Sequence, residues 1–445
     1  MADAVPFYLG PMSTRTPNNR TRPAATEAPA STRRAFQILG PGLITGASDD
    51  DPSGIATYSQ VGAQFGFGLG WIMLFSFPLM TAIQETCARI GRATGEGIAG
   101  NIRRHYPLWL LRVIVGMLLI ANIINLGADL GAMGSVVTML VGGPALLYAM
   151  FFGALSAALQ IFTNYKSYVS ILKWIAVTLL AYVATALAID IPWREVALNT
   201  LVPSLQFETK YILAIVAVLG TTISPYLFFW QSSQEAEEVR EDPKAKPLKQ
   251  APRQAPEEFR RIRLDTYIGM FVSNSIGWFI IVTVAATLNA HGIKDIQTAS
   301  QAAEALKPIA GQFAFLLFAL GIAGTGMLAV PVLAGSAAYA LAEALNWPGG
   351  LARKPKAAKA FYGTIAFATG LGMLFNILPL DPIKALFWTA VINGVVAVPI
   401  MVMTMLMASR PKVMGKFVLP RSLAVMGWIA TAVMCAVAVA LFATW

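Results

Sequence analysis

At 445 residues, 56% hydrophobic and only 13% charged, the chain has too little polar surface to cover a soluble domain of its size, so it reads as a polytopic membrane protein. Its net charge of +10 comes from bases clustered in short loops between apolar runs, the positive-inside pattern, and calls for no nucleic-acid partner. The two cysteines, Cys87 and Cys435, each lie inside an apolar run, which excludes a disulfide framework and a thiolate metal centre.

Residues 1 to about 34 are rich in Pro, Ala, Thr and Arg without a long apolar core, and read as a disordered cytoplasmic tail with a faint transit-peptide flavour. The transmembrane domain follows over 35–445. Apolar runs of about 20 residues begin near residues 38, 68, 111, 144, 168, 210, 266, 312, 358, 382 and 421, which gives an all-α protein of roughly eleven spans.

The first span is interrupted by Ser48-Asp49-Asp50-Asp51-Pro52-Ser53-Gly54. A charged side chain at a bilayer centre costs ~2.5–3.5 kcal/mol on insertion scales, and consecutive helical residues point about 100° apart, so the helix must break or line water. Pro52 disfavours helix at Asp51, and Gly54 permits unusual dihedrals. A broken span carrying fixed acid at mid-membrane is a cation site in outline. Asp51 is the residue best placed to bind; Asp49 and Asp50 face a cation-concentrating vestibule or cap the first half-helix.

Span 2 carries Gln84 and Glu85, with Arg89 in the i,i+4 relation to Glu85, a structural pair. Span 3 carries Asn122, Asn125 and Asp129; an unpaired mid-span acid is functional by default. Span 6 contains Gly220-Thr221-Thr222-Ile223-Ser224-Pro225-Tyr226, a second small, polar run ending on a proline. Thr221 and Ser224 are oxygen donors facing the first break; the competing reading is a kinked helix whose hydroxyls bond back to the preceding turn. Interrupted spans five apart point to an inverted five-plus-five repeat with a site between the breaks, the first repeat over about 38–190 and the second over about 210–409, with an extra helix at about 421–445. The stretch from Gln234 to Arg263 mixes acids, bases and prolines and reads as a solvated cytoplasmic linker. Asn274 in span 7 and Asn393 in span 10 are interhelical glue or, for Asn393, a further oxygen ligand.

The loop between spans 1 and 2 is uncharged, whereas Arg33 and Arg34, Arg89, Arg92, Arg103 and Arg104, Lys166 and Lys173, Arg353 through Lys359, and Arg410 through Arg421 fall on one side. The N-terminus is therefore cytoplasmic and the C-terminus external. His-Glu-x-x-His, Gly-x-Ser-x-Gly and Gly-x-x-x-x-Gly-Lys are all missing from the sequence, so hydrolase and ATP-pump readings lack support.

These residues resemble the natural resistance-associated macrophage protein (Nramp) family, divalent-metal transporters of the leucine-transporter fold. Asp51-Pro52-Ser53-Gly54 looks like the family's Asp-Pro-Gly-Asn in span 1, and Ser224-Pro225-Tyr226 like its Met-Pro-His in span 6. The run from Gln84 through Arg89-Ile90-Gly91-Arg92-Ala93-Thr94-Gly95 and the triplet Ala128-Asp129-Leu130 fit as well. The resemblance implies that Asp51 is the metal-binding aspartate, that the asparagine ligand becomes Gly54, and that the methionine ligand becomes Ser224. Losing a soft thioether favours hard ions, so the expected cargo is Mg²⁺, with Mn²⁺ next, held by Asp51, Gly54, Thr221, Ser224 and Asn393 together with water. Asp49, Asp50, Tyr226, Asp129 and Asn274 form a vestibule or second shell. The family's span 6 histidine is Tyr226 here, the acid one turn after Asp129 is Ala132, and span 9 has no arginine pair, so transport is expected to be uncoupled from protons. The chain thus resembles the Nramp-related magnesium transporter branch, in the plasma membrane, with no cofactor and no protein partner implied. The rivals are a proton-coupled Mn²⁺ or Fe²⁺ importer, an amino-acid carrier of the same fold, and an intramembrane aspartyl hydrolase pairing Asp51 with Asp129.

Overall fold

The aspartate run ends one helix and the proline after it begins another. Helix α1 (Pro41–Asp49) stops at the carboxylates, and α2 (Pro52–Phe65) starts immediately beyond Asp51. Pro52 occupies the first helical position, where its missing N–H is not needed. Asp51 is extended (φ −70°, ψ 171°), and its side chain accepts from the Gly54 amide as an N-cap. The computed structural model describes residues 41–163, 177–378 and 380–444; the N-terminal tail, Arg33, Arg34, Lys166, Lys173 and the beginning of the expected fifth span lie outside them.

A 3₁₀ turn over Gly66–Leu69, entered through Gly66 at φ 58°, bends the chain by 106° into α3 (Trp71–Thr94). After α3 come a short helix α4 (Ile98–His105), the long α5 (Leu108–Val141), α6 (Ala145–Phe162), α7 (Leu180–Ala188) and the short α8 (Trp193–Leu201). The second break separates α9 (Thr209–Thr222) from α10 (Pro225–Glu241), again with proline at the first position of the second half. The remaining long helices are α11 (Ala255–Thr287), α12 (Ala314–Leu345), α13 (Lys359–Phe375), α14 (Pro382–Ala408) and α15 (Arg421–Thr444). No strand occurs among the described residues.

Against roughly eleven expected spans, seven segments among the described residues are long and apolar enough to cross a membrane singly, and the bent pair of α2 and α3 adds an eighth. The difference is local. The first span is split into pieces of 9 and 14 residues, α13 has 17, and the fifth span is only partly described.

Glycines bring the half-helices against their neighbours. A Cβ on Gly46 of α1 would lie 2.4 Å from the Gly269 carbonyl of α11, one on Gly91 of α3 would lie 2.0 Å from the Ser232 carbonyl of α10, and one on Gly220 of α9 would lie 2.0 Å from the Ala390 carbonyl of α14. Small residues let membrane helices approach backbone to backbone, and here they seat three of the four half-helices.

The expected linker over 234–263 differs from its solvated reading. Helix α10 runs to Glu241 and α11 begins at Ala255, so only 242–254 connects them. That segment lies across the end of α3, where the Leu248 and Lys249 amides donate to the Arg92 and Ala93 carbonyls at 3.2 Å each, satisfying acceptors that a helix C-terminus leaves open. Glu235 is fully buried on Arg261, and Arg92 pairs with Glu258 at 2.7 Å. The Glu85–Arg89 pair is formed as well, at 2.7 Å.

Gly46→Ala should therefore force α1 off α11 and destabilise the protein by ~1–3 kcal/mol, the usual penalty for overpacking. Thermal unfolding in detergent micelles reads this directly; an unchanged midpoint would refute the close approach.

Candidate metal site

Asp51 sits where α2, α5 and α10 meet. Its Oδ1 accepts from the Gly54 amide at 2.7 Å and the Ser53 hydroxyl at 2.8 Å. Its Oδ2 has only longer contacts, to Asn125 Nδ2 at 3.4 Å and the Tyr226 hydroxyl at 3.3 Å. The Tyr226 hydroxyl donates its stronger bond, 2.9 Å, to the Ser48 carbonyl at the end of α1. One carboxylate oxygen is thus spent on capping, and the other is the better ligand.

Asp49 and Asp50 turn elsewhere. The Ser273 hydroxyl of α11 lies 2.7 Å from Asp49 Oδ2 and 3.2 Å from Asp50 Oδ1, while Asp49 Oδ1 has no partner. Among the described residues no three His, Cys, Asp or Glu side chains are grouped to hold a metal ion. Only one of the three consecutive acids therefore faces the second break.

At that break Ser224 Oγ donates to the Gly220 carbonyl at 2.9 Å and the Thr221 carbonyl at 2.8 Å. Its hydroxyl proton is used locally, in the bonding back expected of a serine beside a kink, leaving oxygen lone pairs to offer. Thr221 Oγ1 is buried without a partner and faces Gly54 directly: a Cβ on Gly54 would lie 3.2 Å from it and 3.4 Å from the Asp49 carbonyl. Spans 1 and 6 meet at this glycine. Asn393 of α14 is buried with both amide atoms unpartnered; its neighbour Gly394 packs on Gly220, next to Thr221.

Asp129 lies one turn after Asn125 on α5, fully buried, with neither oxygen hydrogen-bonded. Asn274 is committed to α3, accepting from the Ser76 hydroxyl at 3.2 Å and donating to the Met73 carbonyl. Three features lay beyond the sequence reading. Ser273 carried no signal beyond being a small polar residue in span 7. Tyr58 follows Gly54 by one helical turn and was open to discovery from periodicity. Met133, one turn past Asp129, brings its thioether against Gly326, beside Pro52.

Asp49, Asp50, Asp51 and Asp129 are each 3% exposed or less, and among the described residues none pairs with Lys, Arg or His. Buried carboxylates without a counter-charge are strongly unfavourable, so the arrangement is suited to receiving a cation. A cavity of about 530 Å³ lined by Gln60, Lys210, Lys294, Asp295 and Phe387 opens at one end of the bundle, and one of about 450 Å³ lined by Arg103, Arg240 and Glu343 at the other. The aspartates line neither.

A family model described as natural resistance-associated macrophage protein-like matches residues 42–444. The divalent metal cation transporter MntH of Klebsiella pneumoniae (strain 342) is 25% identical over 417 residues, 91% of this chain and 93% of that one. A crystal structure of the Eremococcus coleocola manganese transporter superposes with a TM-score of 0.71 at 17% identity, covering 93% of this chain and 87% of that one. MhsT in complex with L-phenylalanine superposes at 0.54 with 15% identity, covering 89% and 98%. These likenesses establish the leucine-transporter-type fold, with its inverted five-plus-five repeat and broken first and sixth spans.

Capping and charge can be separated at Asp51. Asn caps as well as Asp does, whereas loss of a cap costs ~0.5–2 kcal/mol. Asp51→Asn should unfold near the wild-type midpoint and Asp51→Ala measurably below it; equal midpoints for the two variants would remove the capping role.

Proposed function

The chain belongs to the natural resistance-associated macrophage protein-like family, and on that premise we propose that the divalent cation it transports is Mg²⁺ by preference, with Mn²⁺ next, entering without a coupled proton. The observation that carries the ion preference is that the residues of the two breaks themselves offer oxygen alone. Asp51 supplies the charge, Thr221 an unpartnered hydroxyl, and Ser224 the lone pairs of an oxygen where the family's motif has a thioether. Oxygen donors suit Mg²⁺, which also keeps several of its waters. Gly54 lets the Thr221 hydroxyl and the Asp49 carbonyl approach the position of the motif's asparagine. Asn393, next to Gly394 in the α9–α14 contact, completes the donor set.

The absence of coupling rests on what surrounds the carboxylates. Tyr226 stands for the motif's histidine and donates to a backbone carbonyl, Ala132 stands for an acid, and α13 contains no arginine. A relay needs titratable stations. The membrane potential suffices as a driving force: two charges moving through ~100 mV gain about 4.6 kcal/mol. Transport would proceed by rocking of the bundle that holds both breaks against the remaining helices. On the positive-inside pattern, the N-terminus is cytoplasmic and the C-terminus external, in the plasma membrane.

The rival within the family, a proton-coupled manganese or iron importer, draws on Asp129 and on the Met133 thioether beside Pro52. An amino-acid carrier fits less well: the N-terminus of α2, which would hold a substrate carboxylate, is already filled by Asp51. The protein is a transporter and not an enzyme, and Asp129 makes no hydrogen bond to Asp51 that a shared-proton dyad would require.

In proteoliposomes at fixed voltage, Asp51→Asn should lower Mg²⁺ uptake by at least about tenfold, the minimum for losing a charged ligand; near-normal uptake would remove the site. An internal pH dye in the same vesicles should stay flat during wild-type uptake, and metal-linked acidification would establish the coupled rival. Ser224→Met with Gly54→Asn should raise selectivity for Mn²⁺ or Cd²⁺ over Mg²⁺. An unaltered ratio would count against the hard-ion argument.

A further inference from the structure

Tyr58 is neither a ligand nor a cap at Asp51, yet its ring reaches Gly54 at the first break. It lies on α2 one turn beyond Gly54, so the two share a face of the helix. It is completely buried, which rules out anchoring at the membrane interface, and its hydroxyl has no hydrogen-bond partner. The ring edge comes within 3.4 Å of the Cβ position of Gly54, the same point that the Thr221 hydroxyl approaches at 3.2 Å. The Thr221 hydroxyl lies close to that of Tyr58, without the geometry of a formed hydrogen bond.

The same edge of the ring also lies against α11. A Cβ on Gly277 of α11 would lie 2.8 Å from Tyr58 Cε2 and 3.0 Å from Cζ, the carbon bearing the hydroxyl. Gly277 is thus a notch that fits the phenol end of this ring. A buried hydroxyl beside the break that forms no hydrogen bond is free to accept one from a group that arrives with the ligand.

Building on the reading of the break as an oxygen site for a hydrated ion, we infer that the Tyr58 hydroxyl is an outer-sphere ligand, accepting a hydrogen bond from a water carried by the cation at Asp51. Gly277 is the positioning residue that sets the ring. A phenol oxygen accepts as well as donates, and water bound to a divalent ion is a strengthened donor. Such a contact reads the hydration shell and not the metal itself. It selects Mg²⁺, which sheds water reluctantly, over an ion that exchanges its waters for protein ligands more readily.

The test compares wild type, Tyr58→Phe, Gly277→Ala and Asp51→Asn in proteoliposomes, measuring Mg²⁺ and Mn²⁺ uptake and inhibition by hexaamminecobalt(III), a cation whose ligand shell does not exchange and which can bind only through its outer sphere. Tyr58→Phe keeps the ring and removes one unpartnered atom. It should raise the KM for Mg²⁺ about tenfold relative to that for Mn²⁺ and weaken hexaamminecobalt inhibition by a similar factor, the scale of one lost hydrogen bond. Gly277→Ala should shift both quantities the same way by displacing the hydroxyl. If Asp51→Asn is inactive but Tyr58→Phe alters the two metals equally or leaves the inhibition unchanged, the role of Tyr58 is overturned while the Asp51 site stands. If Asp51→Asn transports like wild type, the site itself is wrong and the outer-sphere contact falls with it.

Discussion

Everything in this structure is conditioned by one buried carboxylate. Asp51 is 1% exposed in an apolar bundle, and an unpaired ion there would be ejected or neutralised unless it had work for its oxygens. Breaking the helix provides that work: the broken end exposes the Gly54 amide, which Asp51 captures at 2.7 Å, and the positive end of the α2 dipole stabilises the charge. The same break releases backbone carbonyls on the α1 side, and Tyr226 takes the one from Ser48. Span 1 and span 6 are thereby tied through a side chain that touches both Asp51 and the carbonyl beside it. The fold's discontinuity and its site are a single feature.

A second tie closes the arginine-rich end. From α10, Ser233 donates to Glu343 of α12 at 2.9 Å and Gln234 to Tyr339 of the same helix at 3.0 Å, while Tyr339 reaches back to Glu237. Glu343 also accepts from the Gly97 and Gly100 amides at the start of α4, at 3.2 and 3.0 Å. Motion of α10 against α12 must break these bonds together. Beyond the site on the other side, Gln60 of α2 is bonded to Asp295 and to the Ile296 amide. Both ends of the bundle are thus latched by a few polar contacts, while the half-helices are seated on glycines.

The breaks were legible because proline and consecutive acids are local signals. Pro52 and Pro225 stop helices by their own geometry, and the Glu85–Arg89 pair follows from i,i+4 spacing alone. What the sequence concealed depends on partners far along the chain. The linker looked solvated because its acids and bases balance locally; its order comes from the Arg92 and Ala93 carbonyls on α3, which no local pattern announces. Asn274 looked like a possible neighbour of the site, but its amide is spent on Ser76 and Met73. Asp49 and Asp50 were separable from Asp51 by helical geometry, yet the Ser273 hydroxyl that receives them is visible only once α11 is packed against α1.

The small residues at the breaks also bear on how charge moves. On the proposed reading, the site contains one carboxylate facing the ion, beside a phenol that stays protonated at neutral pH and hydroxyls that do not titrate. Such a donor set can take up a cation without releasing a proton, in contrast to one built on histidine, whose charge state changes near neutrality. Each cycle would then carry the full charge of the ion, and the membrane potential would act on it undiluted. The substitution that removes sulfur and the one that removes the imidazole therefore act in concert: the first suits the site to an ion that keeps its water, and the second leaves that ion to be drawn by voltage alone.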